Sequence, residues 1–264
     1  MKFIELGGFG IFKSELLESK NIQHAFTTKL LPGNQTSFTS DPYQMDESAL
    51  GDLLTELDLE DHKTVFQKQV HGDQITVVKN ENLADKISVI PANDGLITND
   101  PKISLVSLSA DCMSLILAHP ESGAIGNAHC GRMGALKNLP AKLVYAMCRE
   151  YIILPHEIIA VMGTSISAMC YEVGDDVVDE IKNLDPTALG YLLKHDSRRY
   201  FDLRSYVYSQ LLSVGIMPEN IDSQSICSHC NDELFFSYRR DGSIEGRMAA
   251  IISTDLISIE NNDS

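Results

Sequence analysis

The chain has 264 residues, of which 44% are hydrophobic and 22% charged, and a formal net charge of −16 at pH 7. That length suffices for a sizeable core in one large domain or two small ones, and the composition is ordinary for a soluble globular protein. The negative field repels polyphosphate backbones, so nucleic-acid binding through a basic surface is excluded, whereas a small anion in a local pocket is not.

The N-terminal stretch MKFIELGGFGIFKSELL carries acidic residues early and lacks a signal-peptide pattern. No later run has the uninterrupted apolar length of a membrane helix, so no membrane contact is expected. Residues 31–45, LLPGNQTSFTSDPYQ, read as a polar loop, and 47–59 have helical apolar spacing. TVFQKQV (64–70) and ITVVK (75–79) read as strands flanking the turn HGDQ. KISLVSLSA (102–110), MSLILAH (113–119) and AIGNAH (124–129) read as three closely spaced core strands, suited to antiparallel or mixed pairing. A helix is expected over 140–151 with Pro140 in its first turn, and a buried strand over 157–163. DDVVDEIKNL (175–184) opens with acidic residues as a helix N-terminus does, and 203–215 reads as a helix closed by Gly215. Residues 234–254 read as two strands joined by a turn at Asp241-Gly242. No stretch reads as an interdomain linker, which predicts a single α+β domain over 1–264 with mixed sheets and helices outside.

Six cysteines, at 112, 130, 148, 170, 227 and 230, are too sparse for a secreted disulfide scaffold, so a cytoplasmic protein with reduced thiols is expected. His71 precedes Gly72 at a strand end, Cys112 follows Asp111 between two apolar runs, and His129 ends another strand before a glycine turn. Singly, each is more often a packing, turn or hydrogen-bonding residue. Together, two imidazoles and a thiolate suit Zn²⁺ with one coordination position open, which lowers the pKa of bound water to about 7. The same residues also suit a metal-free site, with Cys112 as nucleophile and His129 as its base. Cys130, beside His129, belongs to the opposite face of its strand. Asp111 reads as a turn residue. In CSHC (227–230) a loop with two free thiols is favoured over half a zinc knuckle, with a redox pair third. His24, His62, His119, His156 and His195 carry no motif.

The motifs HAFTTK, QVHG, NDGLIT, SADC, AHCGRMG, GTSISAMCYEVGDDV, FDLR and FFSYRRDGSIEGRMAA occur in this order along nearly the whole chain. In number and order they resemble the YfiH-like family, also called the multicopper polyphenol oxidase or laccase-domain family. That resemblance implies a four-layer α/β/β/α fold and zinc ligands at His71, Cys112 and His129. It also implies activity on purine nucleosides: phosphorolysis of adenosine, inosine or methylthioadenosine, and deamination of adenosine. Two His and one Cys are too few for the copper centres of a laccase, so zinc is expected rather than copper. Arg132-Met133 stands where the family has Trp-Arg, and Lys29 where it has Arg. Phosphorolysis requires cations around phosphate, for which Lys29, Arg132 and Arg247 are the candidates. Tyr238 and Arg239 are candidates for lining the cleft, and Glu172 is a candidate general base from its motif. The expected partners are a small nucleoside and phosphate, with the chain a monomer or homodimer. Peptidoglycan-precursor editing and a binding protein weakened in catalysis are the remaining alternatives.

Overall fold

In the computed structural model, residues 1–32, 38–39, 41–42, 47–223, 225–242 and 246–254 are described. Gly7 and Gly8 have φ of 55° and 87° and turn strand β1 (Lys2–Leu6) back into β2 (Phe9–Lys13). Glycine takes such angles without a Cβ penalty. One helical turn, α1 (Glu15–Glu18), leads to β3 (Gln23–Thr27). Then come β4 (Phe38–Thr39), α2 (Glu47–Glu56), β5 (Lys63–Gln67), β6 (Ile75–Val77), β7 (Ile87–Ile90) and β8 (Gly95–Thr98). Three wholly buried strands follow: β9 (Ile103–Ser109), β10 (Met113–His119) and β11 (Ala124–Cys130). The chain continues through α3 (Arg132–Leu136), α4 (Leu139–Tyr151), β12 (Ile159–Met162) and α5 (Asp175–Leu184). A hairpin of β13 (Leu192–His195) and β14 (Arg198–Phe201) precedes α6 (Leu203–Ser213), β15 (Ile221–Ser223), α7 (Tyr238–Asp241) and β16 (Gly246–Ser253).

Two mixed sheets organise these elements. The first runs β1-β2-β3-β16-β9-β5-β7, with β4 also on β16; the second runs β15-β12-β10-β11-β8-β6. β16 is antiparallel to β3 and β9, whereas β5 is parallel to both β7 and β9. Alternation along the strands builds the layers. On β16, Met248, Ala250 and Ile252 join Ile116, Ala118 and Ile125 of the second sheet in a core between the sheets. The intervening Ala249 and Ile251 pack with Leu50, Leu53, Leu54 and Leu57, in and just beyond α2. On β10, Met113, Leu115 and Leu117 face the opposite way, onto Leu139, Leu143 and Met147 of α4 and Val207 and Leu211 of α6. The order is therefore α/β/β/α, with three apolar layers between. Each fully buried Leu or Ile contributes roughly 1.5–3 kcal/mol by leaving water. Asn127 of β11 crosses the middle layer: its Nδ2 donates to Leu105 O (2.9 Å) and Ala250 O (2.8 Å) of the first sheet.

Helix α5 coincides with the predicted 175–184, and α4 and α6 fall within two residues of their expected starts and ends. Three expectations are corrected. Residues 64–70 and 75–79 do not form a hairpin around HGDQ: β5 lies in the first sheet and β6 in the second, so the intervening chain crosses between them. Residues 234–254 do not form one either. Ser237 caps α7, its Oγ accepting from Arg240 N at 3.2 Å, and β16 pairs with β3, β4 and β9. Most of the expected 31–45 loop lies outside the described residues, and Phe38–Thr39 within it are strand β4. Among the described residues no helix is long and apolar enough to cross a membrane.

Candidate active site

The two sheets bring three segments to one edge of the middle layer. The chain leaves β5 after Gln67 and crosses toward the second sheet, and His71 sits in that crossing with φ of 56°. Cys112 lies in the turn that carries the chain from β9 of the first sheet to β10 of the second. His129 is one residue from the end of β11, two positions beyond Asn127 and therefore on the same face, toward the first sheet. Cys130 points the other way and is fully buried in the helix-side core. One ligand atom from each of His71, Cys112 and His129 lies within 4.8 Å of the other two. The two imidazoles meet edge to face, with centroids 4.8 Å apart.

A residue that sequence reasoning passed over holds this arrangement. Asp94, fully buried at the mouth of β8, accepts from Val70 N (3.1 Å) and Gly72 N (2.6 Å) on Oδ2. Its Oδ1 accepts from His71 N (3.1 Å) and from His129 Nδ1 (2.9 Å). One carboxylate thus fixes the left-handed backbone at His71 and the tautomer of His129, leaving His129 Nε2 for the site. A carboxylate behind a ligating imidazole is the usual outer support of a metal site. Burial acts to raise the Asp94 carboxyl, but the His129 hydrogen bond and the backbone N–H donors hold it below the usual carboxylate range. The signal was present in NDGLIT, as an Asp immediately before an apolar strand, but its partners are 22 to 35 residues away.

Gly131 makes room for the thiol. A Cβ there would lie 2.9 Å from Cys112 Sγ and 3.3 Å from His71 Cδ2. Burial acts to raise the Cys112 thiol, yet attraction and hydrogen bonding to His129, then to His71, bring it down to about 6. Burial acts to lower His129, and the Cys112 charge together with the Asp94 hydrogen bond raises it to about 9. The pair is therefore poised as thiolate and imidazolium. Two imidazoles and a thiolate, with one imidazole already oriented from behind, form a donor set that fits zinc with a position left open.

The three residues line a cavity of about 610 Å³ together with Gln69, Asp111, Arg132, Tyr171, Tyr238, Arg239 and Arg247, among others. Four of the five expected substrate-binding residues reach it. Arg132 is held by Glu180 at 2.9 Å. Arg239 Nη1 donates to Glu172 O (2.8 Å), and its guanidinium lies 5.2 Å from the Tyr171 ring centre. Tyr238, 60% exposed, stands at the rim. Lys29 is not among the lining residues; it lies two residues beyond the end of β3, where its backbone N donates to Leu234 O (2.8 Å). Glu172 is also outside, because its carboxylate faces solvent and pairs with Arg198 at 3.3 Å. Asp111, with φ of 84°, is the turn residue expected. It accepts from Ser228 Oγ (2.6 Å), Ser237 Oγ (3.0 Å) and Arg239 N (2.7 Å), and so anchors α7 over the cavity.

The family model described as multi-copper polyphenol oxidoreductase laccase matches residues 34–255. The chain belongs to this family. A purine nucleoside phosphorylase of Corynebacterium glutamicum is 30% identical over 242 residues, covering 89% of this chain and 95% of that protein. The adenosine deaminase RL5, from an unknown prokaryotic organism, is 28% identical over 197 residues, covering 72% of this chain and 74% of its own length. Among solved structures, the Bacillus licheniformis hypothetical protein YfiH superposes with a TM-score of 0.82 at 27% identity, covering 96% of this chain and 99% of that one. Its agreement over the whole length matches the four-layer order seen here.

Proposed function

We propose that this enzyme cleaves the glycosidic bond of purine nucleosides with phosphate, at a zinc ion held by His71, Cys112 and His129. The observation that carries the reading is the cavity wall. In a chain of net charge −16, three guanidinium groups, Arg132, Arg239 and Arg247, border the same cavity as the His-Cys-His cluster. The lining carboxylate, Asp111, is spoken for by three donors. Such a cation-rich pocket is selective for a small anion, and guanidinium forks match phosphate oxygens. The relatives named as a phosphorylase and a deaminase support the nucleoside class.

Each residue has a physical task. Zinc, when bound, supplies Lewis acidity beside the reacting centre. Asp94 keeps the Nδ1 proton on His129, so Nε2, on giving up its own proton, is the nitrogen that would hold zinc. Arg132 and Arg239 are braced by Glu180 and by the Glu172 carbonyl, so their guanidiniums reach phosphate with little rotamer freedom left to lose. The Tyr171 and Tyr238 rings offer flat apolar surface for a purine. Adenosine deamination at the same cluster is the companion activity, and it requires no phosphate.

The test is product chromatography of adenosine and inosine with and without phosphate. Free base that appears only with phosphate supports phosphorolysis, and inosine from adenosine in either condition reports the deaminase. Absence of turnover of any nucleoside by metal-loaded protein refutes the nucleoside reading. The second reading, a metal-free cysteine hydrolase, is favoured by the Cys112 thiol lying at about 6 beside His129. It predicts full activity in chelator.

A further inference from the structure

A second cluster lies outside the cavity. One ligand atom from each of Cys170, His229 and Cys230 falls within 4.8 Å of the others, and Cys170 Sγ is 3.2 Å from Cys230 Sγ. We propose that Cys170, His229 and Cys230 form a second metal site that takes zinc or a similar soft divalent ion in a closed, structural role, with Cys227, outside the 4.8 Å group but against Cys230, moving in as the fourth ligand.

The backbone around the cluster is already built to present these ligands. Two segments, one ending at Cys170 and the other spanning 226–231, are laced together. Ser165 pairs with Cys227 in an isolated parallel bridge, and Ser228 N donates to Ser165 O at 3.2 Å. Arg204 Nη2 donates to Ser165 Oγ (3.0 Å) and Ile226 O (3.4 Å), and Arg240 Nη1 to His229 O (3.0 Å). Asn231 Nδ2 closes the turn on Cys227 O at 2.8 Å. Cys227 Sγ accepts from Ser167 N at 3.2 Å and from Cys230 N, and its side chain meets that of Cys230. Backbone N–H groups aimed at the first sulfur of Cys-x-x-Cys are the arrangement of a metal-binding turn. His229 Nδ1 is buried and has no hydrogen-bond partner, a polar atom that coordination would satisfy.

The donor chemistry selects the metal class. Three thiols and an imidazole are the soft N/S set of closed structural zinc sites, unlike the open His-Cys-His set of the cavity. The location assigns the role. Cys170 precedes Tyr171 of the cavity wall, and Ser228 beside His229 holds Asp111, which in turn anchors Arg239. An ion here would clamp together two segments of that wall while remaining remote from the reacting atoms.

The test counts metal in dialysed, reduced full-length protein, and records the cobalt-loaded spectrum for thiolate charge-transfer bands. The variants are H71A/C112S, C170S and C230S, with folding checked by circular dichroism. H71A/C112S is expected to retain about one equivalent of zinc with an intense thiolate–cobalt band, and both are lost when C230S is added. C170S and C230S should each lower metal in the otherwise intact protein by about one equivalent. Cys230 is exposed, so C230S remains informative if C170S misfolds. Retention of no metal by folded H71A/C112S overturns the proposal. So does metal content insensitive to both serine variants, or a Cys170–Cys230 disulfide in unreduced protein that binds no metal once reduced. If the cavity binds no zinc, the intact protein holds one equivalent that C230S removes and H71A/C112S does not, which separates failure at the cavity from failure here.

Discussion

Substituting Asp94→Asn tests how the site is held, because it keeps the side chain's shape and removes one acceptor oxygen. Asp94 accepts from four donors, two on each oxygen. If the amide nitrogen takes the Oδ2 position, it faces Val70 N and Gly72 N, and the His71 turn loses its anchor. If it takes the Oδ1 position, it donates to His129 Nδ1. The imidazole must then carry its proton on Nε2, where it can no longer ligate. The first orientation loses the bonds from Val70 N and Gly72 N, and the second loses the bond from His71 N and reverses the one to His129; at about 1.5–3 kcal/mol for each bond to a charged acceptor, a stability loss of about 2–6 kcal/mol is expected. Loss of a carboxylate behind a ligating histidine lowers metal affinity about 10–100-fold. Chelator competition measures the affinity, urea unfolding the stability, and nitrogen NMR of His129 the tautomer. Unchanged zinc affinity, with His129 still protonated on Nδ1, would refute the reasoning.

Gly131→Ala leaves the backbone unstrained, since φ there is −80°, but sets a Cβ 2.9 Å from Cys112 Sγ. It should weaken metal binding at the cavity at least about tenfold while moving the melting temperature little; an undisturbed affinity would mean the thiol has another position open to it. His24 sets an acid limit on the fold. It is fully buried, accepts from Ser14 N on Nε2 (2.7 Å) and donates from Nδ1 to Ile22 O (2.8 Å). Burial, the largest influence, pushes its pKa down to about 4. Below pH 6.5 the unfolded chain binds a proton that the folded one does not. The stability is therefore complete above 6.5, falls as pH drops, and is reduced by up to about 3 kcal/mol once pH passes about 4. Urea unfolding across that range, with an NMR titration of His24, checks it; titration near 6.5 would contradict it.

Much of this molecule is legible where one physical rule dominates. DDVVDEIKNL has acidic residues at the helix start and an apolar stripe, and α5 keeps those bounds. The three strands at 103–130 are buried on both faces, and their apolar runs say so. At Asp241-Gly242 a local turn signal competes with a cap: Ser237 starts a helix, and its hydroxyl donates to Asp111, 126 residues away. Gly7-Gly8 between two short apolar runs is a local hairpin signal, and β1 and β2 pair across it. At the site, the residue types capable of binding metal identified His71, Cys112 and His129, whereas the support from Asp94 depends on a crossing between sheets that no local pattern encodes. Cys170 joins the CSHC turn across 60 residues for the same reason.

The most direct measurement follows phosphate-dependent release of base from a purine nucleoside while zinc is removed and then restored in steps. In C230S protein, where the cavity cluster would be the remaining zinc site, turnover should vanish on chelation and return in proportion to the first equivalent added. H129A, tested alongside, should recover nothing. Full turnover by metal-free protein, or turnover that survives H129A, would contradict a metal held by His71, Cys112 and His129.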